Sequence, residues 1–258
     1  MSHPHSQNPP AAASAQHGEE LPVVDVRERA GDRTGNPQVL ETRLFMQLLV
    51  FTSDRGGTPA ALTQLKSSLA DHKIPAVLYE DVNDPRGIGV LTYSEDPAHF
   101  VTQVRPALQL LDEHGLRQRH EFTMLGRSYA TGFETDLRFW LLDRPRATVQ
   151  NEAWPWAVWY PLRRVGPFAR LSPQERGGIM AEHGKIGRAY GEQDLAHDVR
   201  LACYGLDTSD NEFVIGLIGK DLHPLSHVVE SMRRTRQTAE FMQHMGPFFI
   251  GHVAARVG

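Results

Sequence analysis

The sequence predicts an α+β fold in which two ferredoxin-like β-α-β-β-α-β halves close into one dimeric-type α+β barrel. Three observations predict it. Strand-length apolar runs and helical patterns follow the order strand, helix, strand, strand, helix, strand across 43–125, and the same order returns across 154–253. A β-α-β-β-α-β sheet carries both helices on one face, so the bare face of each half needs the other half as cover. The chain has 258 residues and is 40% hydrophobic, enough to fill a large shared core without disulfide staples.

Residues 1–40 read as a disordered tail. Pro9-Pro10, the alanines at 11–13 and the charges between Arg27 and Arg33 offer too little apolar surface to offset ordering entropy. His3, His5 and His17 are spaced irregularly there, which suits solvation better than metal binding. The N-terminal half is expected over 41–130. Its first strand, 43–51, is a continuous apolar run broken by Asp54-Arg-Gly-Gly57. Thr58 and Pro59 then open a helix with Leu62, Leu65 and Leu69 at helical spacing. Strands at 74–79 and 87–93 flank the turn Asn83-Asp-Pro-Arg-Gly87. A helix over 97–111 lines up Phe100, Val104, Leu108 and Leu111, and 121–125 closes the half as a strand. A connecting segment, 131–152, leads to the C-terminal half, 153–258. That half has strands at 154–162, 198–204, 212–219 and 248–253, with helices at 173–190 and 225–242.

Charge and cysteine content narrow the function classes. A net charge of −4 provides no basic field for nucleic acid. The single cysteine, Cys203, excludes a disulfide framework and a cysteine-based metal site, and within a strand it reads as a buried small apolar residue. No apolar run approaches the ~18–20 residues of a membrane span, and the first thirty residues lack a basic-then-apolar secretory layout. A cytoplasmic soluble enzyme or binding domain is expected. Dinucleotide, Walker, nucleophile-elbow and His-Glu-x-x-His motifs are absent, so any chemistry rests on a less standard constellation.

The C-terminal half holds the candidates. Ser172, Pro173 and Glu175 form a capping box that fixes the start of the 173–190 helix. His183 falls on its apolar stripe with Ile179, Ile186 and Tyr190, where an imidazole serves either as a satisfied core residue or as an axial ligand to a metal or haem. Gly184 and Gly187 thin the helix beside it, which suits a flat ligand or close helix–strand packing equally. Upstream, Trp154, Trp156, Val158, Tyr160, Leu162 and Arg164 share one strand face by alternation. Pro155 and Pro161 mark that strand as an edge or an interrupted one. The face is either an aromatic core or contact surface, or the wall of a large apolar pocket bearing a phenol and a guanidinium. A redox-active tyrosine beside a cation makes sense in such a pocket, because positive charge favours phenolate. Arg144-Pro-Arg146 suits a grip on carboxylates as well as solvation, and Arg233, Arg234 and Arg236 read as a solvated face.

Taken in order, Trp159-Tyr-Pro-Leu-Arg-Arg164, Leu171-Ser-Pro-Gln-Glu-Arg176, Met180-Ala-Glu-His-Gly-Lys-Ile-Gly187, Gly205-Leu-Asp207 and Gly246-Pro-Phe-Phe-Ile-Gly251 resemble the chlorite dismutase family, most closely its coproheme decarboxylase branch. The resemblance covers roughly residues 140–252. It implies a barrel of two ferredoxin-like halves, with haem b or coproheme in the C-terminal half. It places His183 as the axial ligand to haem iron and Tyr160 as the radical site. Arg164 would hold a carboxylate and Arg146 would anchor a propionate, with Trp156 lining the porphyrin pocket. Hydrogen peroxide is the implied oxidant, a homopentamer the implied assembly, and a ferrochelatase the implied supplier of iron porphyrin. The activity implied is oxidative decarboxylation of iron coproporphyrin III to haem b. Chlorite dismutation and non-catalytic haem binding are the alternatives. The distal residue stays open between Ala196, which fits decarboxylation, and Arg200, which fits chlorite.

Overall fold

The computed structural model describes residues 21–32, 34–54 and 57–258. The doubled pattern forms a closed antiparallel sheet. The N-terminal half contributes β3 (Phe45–Ser53), β4 (Ala76–Asp81), β5 (Gly87–Ser94) and β7 (Met124–Arg127). The C-terminal half contributes β8 (Trp156–Arg164), β9 (His197–Ala202), β10 (Phe213–Gly219) and β12 (Phe249–Val257). Around the barrel the order is β7-β3-β5-β4, then β12-β8-β10-β9, and a single bridge from Arg127 to Ala202 closes the ring. Each half therefore runs fourth, first, third, second strand, the order a ferredoxin-like unit requires. β6 (Leu116–Gln118) adds to β3 and β11 (Met242–Met245) adds to β8.

Alternation along the strands sorts side chains into one core inside the barrel and two outside it. Met46, Leu48, Tyr79, Trp159, Leu201 and Phe249 fill the interior. Outside the N-terminal half, α1 (Thr58–Asp71) buries Leu62, Leu65 and Leu69 against Leu78, Ile88 and Val90. The helical run from Phe100–Val104 through α2 (Arg105–Leu108) and α3 (Leu110–Glu113) covers the rest of that face. Outside the C-terminal half, α6 (Pro173–Glu192) and α7 (Leu222–Met232) cover Val158, Tyr160, Leu162 and Leu217. Cys203 faces inward, as expected, donating from Sγ to the Asn211 carbonyl at 3.1 Å, and burial pushes its thiol up to about 12.

Several boundaries differ from the sequence reading. The region expected as a tail contains regular structure: β1 (Glu28–Gly31) and β2 (Pro37–Leu40) form a hairpin. Its anchor is the Glu28 carboxylate, which accepts from Arg43 at 2.9 Å, Arg127 at 3.2 Å and the Ala130 amide at 2.9 Å. His3, His5 and His17 lie outside the described residues. The connecting segment is partly helical: Phe139–Asp143 and α4 (Arg144–Gln150) bury Leu141, Leu142 and Val149 against the barrel interior. A further short helix, α5 (Gly166–Arg170), follows β8. The expected helix 225–242 splits into α7, α8 (Arg236–Phe241) and β11, because the buried Thr235 hydroxyl donates to the Met232 carbonyl and ends α7. β8 is paired on both sides. Its second partner changes from β12, opposite 156–159, to β11, opposite 162–164, so the missing Pro161 amide falls at the interruption.

Trp159 is the largest fully buried side chain, and its indole lies where a β-carbon on Gly216 would sit, 2.6 Å away. Trp159→Ala is expected to lower unfolding free energy by about 3–5 kcal/mol, the scale of a large aromatic cavity. Urea titration checks this, and a loss below ~1 kcal/mol would show that the barrel interior is not the main core.

Candidate functional site

The outer face of the C-terminal half gathers the sequence-predicted residues, and α6 presents the first. Its start is fixed by the capping box: the Glu175 amide donates to Ser172 Oγ at 3.3 Å, and Ser172 N and Oγ donate to the Glu175 carboxylate at 3.1 and 2.6 Å. With that phase set, Ile179, Ile186 and Tyr190 face the sheet, and His183 comes with them, half-buried. His183 Nδ1 lies 3.4 Å from Thr235 Oγ1. That hydroxyl already donates its proton to Met232, so it accepts from Nδ1–H and leaves the Nε2 lone pair free. Burial, then the Arg200 charge, holds the His183 pKa below the ordinary histidine value, so the ring is neutral.

The sheet presents the second group. Tyr160 lies opposite Ile215 of β10, which lies opposite Arg200 of β9, so the phenol and the guanidinium share one row across three strands on one face. Tyr160 is buried and stacked on Phe248 at 4.6 Å. Burial, then Asp198, pushes its pKa up, and Arg233 opposes them. Asp198 holds Arg144 at 2.8 Å and Arg200 at 2.9 Å. Burial alone would raise the Asp198 pKa, but the two arginines outweigh it and hold the carboxylate below its usual value. Trp156 stands on the same face, edge-on to His252 at 4.7 Å. Ala196 is buried in the apolar cluster that contains Tyr160.

Two arginines depart from the sequence expectation. Arg164 is not beside the phenol: it is bonded to Glu212 at 2.9 Å and clasped between Phe168 and Phe213 at 4.3 and 4.7 Å. Four strand residues separate it from Tyr160, about 13 Å of backbone. Arg146 does not reach this face either, because it bonds to Glu95 of the N-terminal half at 2.6 Å. Two helical residues turn ~200°, so Arg144 meets Asp198 while Arg146 points the other way. Arg233 is exposed, as the sequence reading of a solvated face expects, and its charge opposes the raised Tyr160 pKa. That reading suits Arg234 and Arg236, which are exposed and paired with Glu230 and Glu240. Arg233 also lines an open cavity of ≈340 Å³ with Thr238, Met242, Gln243, His244 and Met245. Thr238 lies 3.4 Å from the Thr235 hydroxyl, and Met242 and Met245 pack on the apolar cluster that contains Tyr160.

The chlorite dismutase family profile matches residues 111–254, more than half of the chain. The protein belongs to the chlorite dismutase family. The match spans the whole C-terminal half up to residue 254 and so includes every element of this face. Several solved structures share this fold. A crystal structure assigned as a chlorite dismutase superposes with TM-score 0.68 at 15% identity, covering 83% of this chain and 96% of that one. A heme-binding protein from Thermus thermophilus superposes with TM-score 0.67 at 17% identity, over 82% of this chain and 91% of that one. Chlorite dismutase from Candidatus Nitrospira defluvii, in complex with imidazole, gives TM-score 0.62 at 13% identity, over 82% and 91%. No curated protein sequence matches. Among the described residues no helix is long and apolar enough to cross a membrane.

Proposed function

We propose that the cleft between α6 and the outer face of the C-terminal half binds an iron porphyrin, and that the chain catalyses hydrogen-peroxide-dependent oxidative decarboxylation of iron coproporphyrin III to haem b. The observation that carries this reading is His183: a neutral imidazole with Nδ1 satisfied by Thr235 and Nε2 free, on a helix that covers the apolar cluster containing Tyr160. The surroundings fit a porphyrin. A β-carbon on Gly184 would meet nothing within 4 Å, and one on Gly187 only the Met232 methyl at 3.5 Å, so the helix surface beside the imidazole is low. Trp156, Ile215 and Leu217 offer an apolar wall, and Arg200 and Arg233 offer cations for carboxylates. The heme-binding relative from Thermus thermophilus supports the same ligand class.

In this reading the bound iron supplies the two-electron chemistry with peroxide. His183 orients the porphyrin through its free nitrogen. Tyr160, as a radical, would take a hydrogen atom from the propionate carbon next to the ring. Cleavage of the carboxylate bond would then release carbon dioxide and form the vinyl double bond, and the one remaining electron would pass to the oxidising equivalents that peroxide supplies. Arg233 takes the part that the resemblance gives Arg164, because Arg164 is committed to Glu212. Arg144 and Asp198 hold Arg200 in place. A homopentameric assembly, a cytoplasmic setting and a ferrochelatase as supplier belong with this reading.

A second reading, chlorite dismutation on a resident haem b, is favoured by Arg200, which stands in register with Tyr160 across Ile215. Loading the protein with iron coproporphyrin III, adding hydrogen peroxide stepwise and weighing the porphyrin decides between them. Two successive losses, each of carbon dioxide and two hydrogens, are expected. Porphyrin that binds but keeps its mass would favour chlorite chemistry or haem binding without catalysis. Failure to bind any iron porphyrin would overturn both.

A further inference from the structure

We propose that His223 and His227, on the outer surface of α7, form a binding site for a divalent first-row transition ion, independent of the porphyrin cleft. The two residues are four apart on one helix, so their side chains stack on one face. Both are exposed, and their ring centroids lie 5.9 Å apart with the planes tilted by 37°. An ion bound tetrahedrally to two imidazoles at ~2.0–2.1 Å places the centroids about 5 Å apart, so a small rotation of two exposed side chains closes the chelate.

The second observation is the way His227 is held. Its Nδ1 lies 2.5 Å from the Tyr190 phenol, which in turn lies 3.0 Å from Ser231 Oγ. With an ion on Nε2, Nδ1 carries the proton and donates to the phenol oxygen, and the phenol donates to Ser231, so the contacts are all kept in the metal-bound tautomer. This is the arrangement in which a histidine is oriented and made more basic for a metal. His227 Nε2 has no hydrogen-bond partner among the described residues, and His223 makes no hydrogen bond there at all. No group of three or more His, Cys, Asp or Glu side chains able to hold an ion occurs among the described residues. The site is therefore two-coordinate from the protein, with the remaining positions open to water. Imidazole ligands with open positions suit Zn(II), Ni(II) and Cu(II) and do not suit Mg(II) or Ca(II).

Tyr190 gives the site a structural consequence. It sits on α6, seven residues after His183, and its phenol bridges to α7 through His227 and Ser231. An ion that fixes His227 therefore also fixes α6 against α7.

Zn(II) titration of the full chain by calorimetry tests the proposal, with the double variant His223→Ala, His227→Ala as the reference. Histidines elsewhere, including His3, His5 and His17, bind equally in both proteins and cancel in the difference. The wild-type protein is expected to take up one more equivalent of Zn(II) than the double variant and to gain Tm with Zn(II), a gain the variant lacks. Tyr190→Phe should keep that equivalent and bind it about 10-fold more weakly, the lower end of what an outer-shell partner contributes. Alanine at exposed helical positions favours the helix, so the variant folds. Equal uptake by wild type and double variant overturns the site, and unchanged affinity in Tyr190→Phe overturns the role of the phenol.

Discussion

If His183 holds the iron porphyrin as proposed, His183→Ala is expected to lower porphyrin affinity by more than the ~10–100-fold that loss of an outer-shell partner costs. Soret absorbance during titration with iron coproporphyrin III or haem b is the measurement. A spectrum and affinity unchanged from wild type would remove His183 from the site. The fold should survive, because the helix is started by the Ser172 capping box and held by Ile179, Ile186 and Tyr190, while Thr235 keeps its bond to Met232. The ligand also has a characteristic pH range. Burial depresses the His183 pKa, so the unfolded chain binds the proton more readily than the folded one. The stabilisation this provides is complete above the unfolded value of ~6.5 and is lost as pH falls through the depressed folded value. Ligation should therefore persist at pH 6.5 and fail only on further acidification. Loss of the liganded spectrum beginning well above pH 6.5 would contradict a neutral, buried ring.

Tyr160→Phe is expected to keep porphyrin binding and stability while lowering decarboxylation by about 10²-fold or more, the scale contributed by one positioned proton-transferring side chain. The phenol makes no hydrogen bond among the described residues, so deleting its oxygen leaves no stranded partner. The stacking on Phe248 is retained. Burial and Asp198 push the phenol's pKa up, so it stays protonated through the neutral range and gives up its proton only together with an electron. Full turnover by Tyr160→Phe, followed by mass spectrometry of the porphyrin, would end the radical role. Arg164 is held by Glu212 between two phenylalanines, and the charge that opposes the raised phenol pKa is that of Arg233.

Much of this architecture was legible in the chain because periodicity and capping are local. The continuous run that became β3, the Pro59 signal at the start of α1 and the Ser172-Pro173-Glu175 start of α6 each depend on residues within one or two turns of each other. The same holds for His183 on the apolar stripe of α6 and for Tyr160 on the outer face of β8, since pleat and helix pitch fix which residues share a face. The cap of α1 differs: it is Gly57, without a side-chain bond, and Thr58, expected as the cap, is the first residue of the helix. Elements whose stability comes from distant partners were not legible. The β1–β2 hairpin exists because Glu28 finds Arg43 and Arg127, and α4 lies in a segment read only as a connection because its apolar side meets the barrel interior.

The sequence by itself determined the doubled β-α-β-β-α-β order, the phase of α6 and the side of β8 on which the tyrosine lies. Only the tertiary structure decided which charges meet them. Arginines differ little in their local signal, and their partners lie tens of residues away: Glu95 for Arg146, Asp198 for Arg144, and Glu212 for Arg164. The break at Thr235 leaves Arg233 lining a cavity with Met242 and Met245 and sets a hydroxyl against His183. It arises where α7 ends against α6, with Glu182 accepting from the Arg236 amide at 3.1 Å. Electrostatic pairing is set by three-dimensional proximity and by burial, and neither is encoded within a window of one helix or one strand.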